Sequence, residues 1–178
     1  MRIDPRFFNQ FILIVAVICI AAIVITSIRY IGKQEERFLD RLEGQKLADL
    51  TFLSADGDTL QMNRDQTTVL LFWSTWSDRS LDALYDLYSW HDKYPYVEVV
   101  SAYVKDSDEF ASVYDQEEKQ QFILVNGTPA YQNLRVPGIP TAIIFDSHGE
   151  IHAVEIGYRD VPVWHTLSPG ELPSETQY

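Results

Sequence analysis

The longest pattern in the chain is an unbroken apolar one. Every position from Phe11 to Ile25 is apolar, and Phe7, Phe8 and Ile28 extend the run. At a rise of about 1.5 Å per residue, roughly twenty such residues cross a hydrocarbon layer of ~30 Å. The Phe7–Ile28 run therefore predicts a membrane-spanning helix within residues 7–30, with residues 1–6 as a short tail. A cleaved signal sequence is the competing reading; the length of the run and the lack of an Ala-x-Ala site after it argue against that. Residues 31–43 are charged, with Phe38, Leu39 and Leu42 at helical spacing, and predict a short juxtamembrane helix acting as a linker.

Beyond residue 44 the pattern becomes that of a folded α/β body over residues 44–167. Leu50–Leu53 and Thr59–Met62 flank Asp56-Gly57, the signal of a β-hairpin. Val69–Trp73 is a five-residue apolar run, too short for a helix, and reads as a strand covered on both faces. It leads into a helix from about Ser77 to Tyr94, closed by Pro95, with Leu81, Leu84, Tyr85 and Tyr88 as its expected buried stripe. Val97–Val104 predicts a second central strand. Asp106 to about Gln120 predicts a polar helix with Phe110, Val113 and Tyr114 inward. Phe122–Val125 reads as a short strand, Pro129–Arg135 as a short helix, and Ala142–Asp146 as a strand. Asp146–Gly149 is the turn into a return strand over Glu150–Gly157, whose alternation does not sort cleanly by polarity. One or two helical turns are expected within Asp160–Leu167, and a mobile tail over residues 168–178.

Charge changes the picture of the body. Residues 1–43 carry six Lys/Arg against five Asp/Glu, whereas residues 44–178 carry eight against twenty-one. An acidic body repels phosphate backbones, so nucleic acid is not an expected ligand. The only cysteine, Cys19, lies inside the apolar run. Bulky Val17 and Ile18 before it and Ile20 after it disfavour a lipoprotein site. The body has no thiol, so it can form no internal disulfide, thiolate nucleophile or cysteine metal site. No cofactor and no metal are expected.

The chemistry of interest lies where the apolar strand meets its helix. Ser77 stands at the N-cap position, where a hydroxyl can accept from a free N–H of the first turn. Phe72-Trp73-Ser74-Thr75-Trp76-Ser77-Asp78-Arg79-Ser80 resembles the Phe-Trp-x-Thr-Trp-Cys-x-x-Cys motif of membrane-tethered thioredoxin-like thiol–disulfide oxidoreductases, the TlpA/ResA family. Ser77 and Ser80 occupy both cysteine positions. Arg79 replaces the proline common before the second cysteine, and Ala83 stands where members often carry a glutamate. Gly138-Ile139-Pro140-Thr141 is similar to the family's loop with a cis proline before a strand. The resemblance covers most of residues 44–167 and implies a three-layer α/β/α thioredoxin-like fold with a central mixed sheet and an N-terminal hairpin extension. It further implies that Pro140 is cis, that Ile139 lines the site, and that the body lies on the extracytoplasmic side. The basic residues flanking the apolar run are nearly balanced and do not fix the orientation alone.

Thiol–disulfide exchange needs a thiolate, and a serine hydroxyl cannot replace it. No catalytic residue is expected; Ser77 and Ser80 mark degenerate positions. What remains is a peptide- or protein-binding corner formed by Trp73, Trp76, Ser77, Asp78, Arg79, Ser80, Ile139 and Pro140. The expected function is that of a redox-inactive binding or scaffolding module. The resemblance also suggests a role assisting a cysteine-bearing partner, for example in cytochrome maturation. The alternative is an enzyme with non-redox chemistry at Ser77 or Ser80. That would require a base in reach, and His91, His148, His152 and His165 fall in no recognisable catalytic motif.

Overall fold

The computed structural model describes residues 5–54, 57–62, 66–107, 109, 111, 113 and 122–167. The chain forms two compact units, residues 1–40 and 41–178.

The first unit is carried by α1 (Pro5–Leu42), a continuous helix into which the charged linker runs without a break. From Ile12 it is long and apolar enough to cross a membrane. Within the apolar run Thr26 Oγ1 donates to Ala22 O at 2.7 Å. This back-bond satisfies the hydroxyl inside its own helix.

The second unit is organised on a mixed sheet. Its strands are β1 (Thr51–Leu53), β2 (Thr59–Gln61), β3 (Thr68–Trp73), β4 (Glu98–Tyr103), β5 (Ile123–Asn126), β6 (Thr141–Phe145) and β7 (Ile151–Ile156). Among the described residues the strand order is β2-β1-β5-β4-β3-β6-β7. β3, β4 and β5 run parallel; β6 and β7 return antiparallel, and β1 and β2 form the expected hairpin. Gly57 turns that hairpin with φ of +82°, a conformation that L side chains rarely adopt. Every residue of β3 and β6 is buried, which is why both read as continuous apolar runs rather than alternating ones.

Alternation along the strands divides the core. Val69, Leu71, Trp73, Val99, Tyr103, Ala142 and Ile144 pack with α2 (Asp78–His91), Trp164 and Leu167. Phe72 points the other way and meets Tyr131 of α3 (Thr128–Leu134) edge-on at 6.0 Å. Gly127 precedes α3 because a Cβ there would lie 2.7 Å from Ala102 Cβ. A 3₁₀ turn over Val163–Thr166 supplies the helical turn expected before Leu167.

Three expectations need correction. The buried stripe of α2 is Ser80, Ala83, Leu84, Leu87, Tyr88, Trp90 and His91. Tyr85 is 41% exposed and Leu81 only partly buried. The stripe begins on a polar residue, which hid its phase in the sequence. α2 also ends at His91 rather than Tyr94. Tyr94 N bonds back to His91 O, and the Tyr94 ring lies against Trp90 with centroids 4.8 Å apart. Third, Val113 is 52% exposed and Ala111 is the buried neighbour instead. The rest of that helix, with Phe110 and Tyr114, lies outside the described residues, as does the tail over 168–178.

Candidate functional site

The site is built at the C-terminal end of β3, the end from which the chain passes into α2. Phe72 pairs with Thr141 across the antiparallel β3–β6 ladder. That pair ends the ladder, and Trp73 and Pro140 are the next residue of each segment. The Ile139–Pro140 bond is cis. Thr141 Oγ1 donates to Gly138 O at 2.8 Å, and Gly157 N donates to Pro140 O at 2.8 Å, tying the proline loop to the end of β7. Pro140 is buried and Ile139 half-buried.

The two serines hold different positions. Ser77 is an extended N-cap, and its Oγ accepts from Ser80 N at 3.3 Å. Ser80 is fully buried on the core side of the first turn, and its Oγ has no hydrogen-bond partner among the described residues. A neutral hydroxyl in that setting carries a desolvation cost that a bond would have offset. Asp78 and Arg79 are both exposed. Trp73 is buried in the sheet, whereas Trp76, three residues on, is 63% exposed. The motif therefore places one tryptophan in the core and presents the other to its surroundings.

A residue not singled out as part of the site holds this turn in place. Asp106, in the loop after β4, accepts from Thr75 N at 2.7 Å and Ser74 Oγ at 3.0 Å through Oδ2, and from Ser107 N at 3.0 Å through Oδ1. Burial works to raise its pKa, but these hydrogen bonds outweigh burial and hold the carboxyl below its ordinary value. The sequence offered only an aspartate where a strand gives way to a helix. Its partner lies about thirty residues back, and no local pattern connects the two.

The histidines are placed elsewhere. His91 Nε2 lies 3.0 Å from Val97 O, and His165 Nε2 lies 2.9 Å from Asp86 Oδ2. His148 follows β6 in the hairpin turn and His152 is exposed on β7. Glu155, on the same strand, is buried. Burial raises its pKa, while the charge of Arg159 and the backbone N–H groups of Val163 and Arg159 work to lower it.

An exposed indole, a capped helix start and a cis-proline loop share one end of the sheet. Sulfur is absent from residues 44–178 apart from Met62, a thioether that cannot act as a thiol.

No family model matches the sequence, and no curated protein matches it. Solved structures do match. MTB DsbF superposes with a TM-score of 0.55 at 18% identity, covering 64% of this chain and 87% of that one. A Chlorobium tepidum protein named as the thiol:disulfide interchange protein DsbE gives 0.55 at 18%, covering 66% and 86%. The thioredoxin domain of a thiol-disulfide oxidoreductase from Bacteroides vulgatus gives 0.53 at 16%, covering 65% and 89%. With the cis-proline loop, the strand-to-helix corner and the mixed sheet already in place, the chain has the thioredoxin-like fold that these oxidoreductases share.

Proposed function

We propose that this chain is a membrane-anchored, redox-silent thioredoxin-like module that binds a protein or peptide partner at the Trp76/Ile139-Pro140 corner. The observation that carries the reading is oxygen at both Ser77 and Ser80, with the single cysteine, Cys19, outside the folded body. A hydroxyl has a far higher pKa than a thiol and forms no bond to sulfur that persists as a disulfide does. Electron transfer through this corner is thereby lost, while its shape is kept. The exposed Trp76 supports binding, because large aromatic side chains left out of the core are the usual anchors of protein contacts. α1 supplies the anchor, and the folded body faces the extracytoplasmic side.

The test is a photoreactive residue at position 76 of the full chain in its native membrane, with captured proteins identified. The reading predicts a defined crosslinked species that disappears when Ile139→Asp is added. Capture that is unchanged by Ile139→Asp would remove the corner as the interface.

A further inference from the structure

We propose that the cavity bounded by the last turn of α1, the start of β1 and the end of α3 binds a small zwitterion. Its ligand is an α-amino acid or dipeptide whose carboxylate is taken by Arg41 and whose ammonium is taken by Asp49. All of the lining residues belong to the second unit, and none belongs to the Trp76/Ile139-Pro140 corner. The proposal is therefore independent of the binding role assigned to that corner.

The cavity holds about 300 Å³, the size of a small-molecule site rather than of a groove for a protein loop. Arg41 is half-buried, and its Nη1 donates to Leu134 O at 3.0 Å. Leu134 ends α3, so its carbonyl has no later turn to bond, and Arg41 caps it. That bond uses one of the five N–H donors of a guanidinium. No carboxylate pairs with Arg41 among the described residues, although a charge drawn partly out of water is ordinarily paired. Capping α3 accounts for that one donor and for nothing else in the cavity. The Gln45 and Asn133 amides and the Thr51 hydroxyl line the same space. None of these three side chains makes a hydrogen bond among the described residues.

The chemistry of the lining selects the ligand. A planar guanidinium beside amide and hydroxyl donors matches the two oxygens of a carboxylate. Asp49 lines the cavity as well and does not pair with Arg41. Its Oδ2 accepts from Lys46 N at 2.8 Å, which leaves Oδ1 uncommitted among the described residues and open to a ligand ammonium. Buried Leu50, Ala130 and Leu134 supply an apolar wall for the ligand's side chain. One cation and one anion held apart complement one carboxylate and one ammonium. A phosphate dianion would instead meet Asp49 and a body with eight basic against twenty-one acidic residues over 44–178.

The experiment is equilibrium dialysis of the full chain in a neutral detergent. The probes are tritiated glycyl-leucine, its C-terminal amide, its N-acetyl form and free leucine, with inorganic phosphate as competitor. The proposal predicts saturable binding of glycyl-leucine that phosphate does not displace. Affinity should fall about tenfold for the amide, and it should fall for the N-acetyl form as well. Free leucine binding as tightly as the dipeptide would assign the site to amino acids, and weaker binding would assign it to peptides. Arg41→Gln should weaken binding about tenfold. Asn133 is exposed, so Asn133→Asp keeps the fold and should weaken binding by setting a like charge against the ligand carboxylate. Trp76→Ala should leave binding unchanged. No saturable binding, displacement by phosphate, or equal affinity for either blocked form would overturn the proposal. Binding unaffected by both Arg41→Gln and Asn133→Asp would do the same, and its loss in Trp76→Ala alone would move the ligand to the corner.

Discussion

The two ends of α2 use aromatic residues in opposite ways. At the C-terminal end Tyr88 stacks on Phe122 with centroids 4.2 Å apart, His91 meets Phe122 edge-on at 5.1 Å, and Trp90 packs on Tyr94 at 4.8 Å. Tyr88, Trp90, His91 and Phe122 are all buried. At the N-terminal end Trp76 is 63% exposed, Ser80 is buried with no partner for its hydroxyl among the described residues, and Asp78, Arg79 and Asp82 face outward. One end closes the fold; the other leaves apolar area and polar groups uncommitted. The difference separates residues kept for stability from residues whose presence the fold does not explain.

That contrast can be broken by substitution. Phe122→Ala removes the ring that both Tyr88 and His91 pack against, and should cost about 3–5 kcal/mol in chemical denaturation. A loss below about 1 kcal/mol would mean that the aromatic end is not a core. Asp106→Ala releases the turn before Trp76 and leaves Ser74 Oγ buried without its acceptor, a loss of about 2 kcal/mol at neutral pH. The pH dependence has a definite sign. The Asp106 carboxyl is held below 3.8, so its stabilisation is fully present above that pH and is lost as pH falls through the lower folded value. The gap between wild type and Asp106→Ala, followed by acid unfolding, should therefore close only below pH 3.8. Ser77→Ala removes the N-cap and should cost about 1 kcal/mol. Trp76→Ala should change stability by less than about 0.5 kcal/mol, the smallest effect of the four, because the indole is mostly outside the core. A large loss there would place Trp76 with the aromatics of the other end.

Much of this arrangement was legible in the chain because local rules agree with the fold. β3 and β6 are buried on both faces and therefore read as apolar runs. Ser77 stands where a helix must be capped, and Gly57 where a hairpin must turn. The cis state of Pro140 followed from resemblance rather than from any local signal. What could not be read depends on residues that meet only after folding. The phase of α2 was obscured because Ser80, a polar residue, begins its buried stripe. Asp106 grips a turn some thirty positions earlier. Asp86 meets Trp164 Nε1 and His165 Nε2 at 2.9 Å, nearly eighty positions along the chain, and neither segment announces the other. Glu155 sits on a strand whose alternation gave no polarity signal, and the backbone N–H groups of Val163 and Arg159 that reach its buried carboxyl come from residues beyond that strand.

The central claim is that a thioredoxin-like corner has kept its geometry while losing its sulfur. It is tested most directly by dithiothreitol-driven insulin reduction, with the full-length native chain and Ser77→Cys/Ser80→Cys measured side by side in detergent. The account predicts no turnover above the dithiothreitol blank for the native chain and clear turnover for the double variant. Turnover by the native chain, or a folded double variant that cannot cycle, would contradict it.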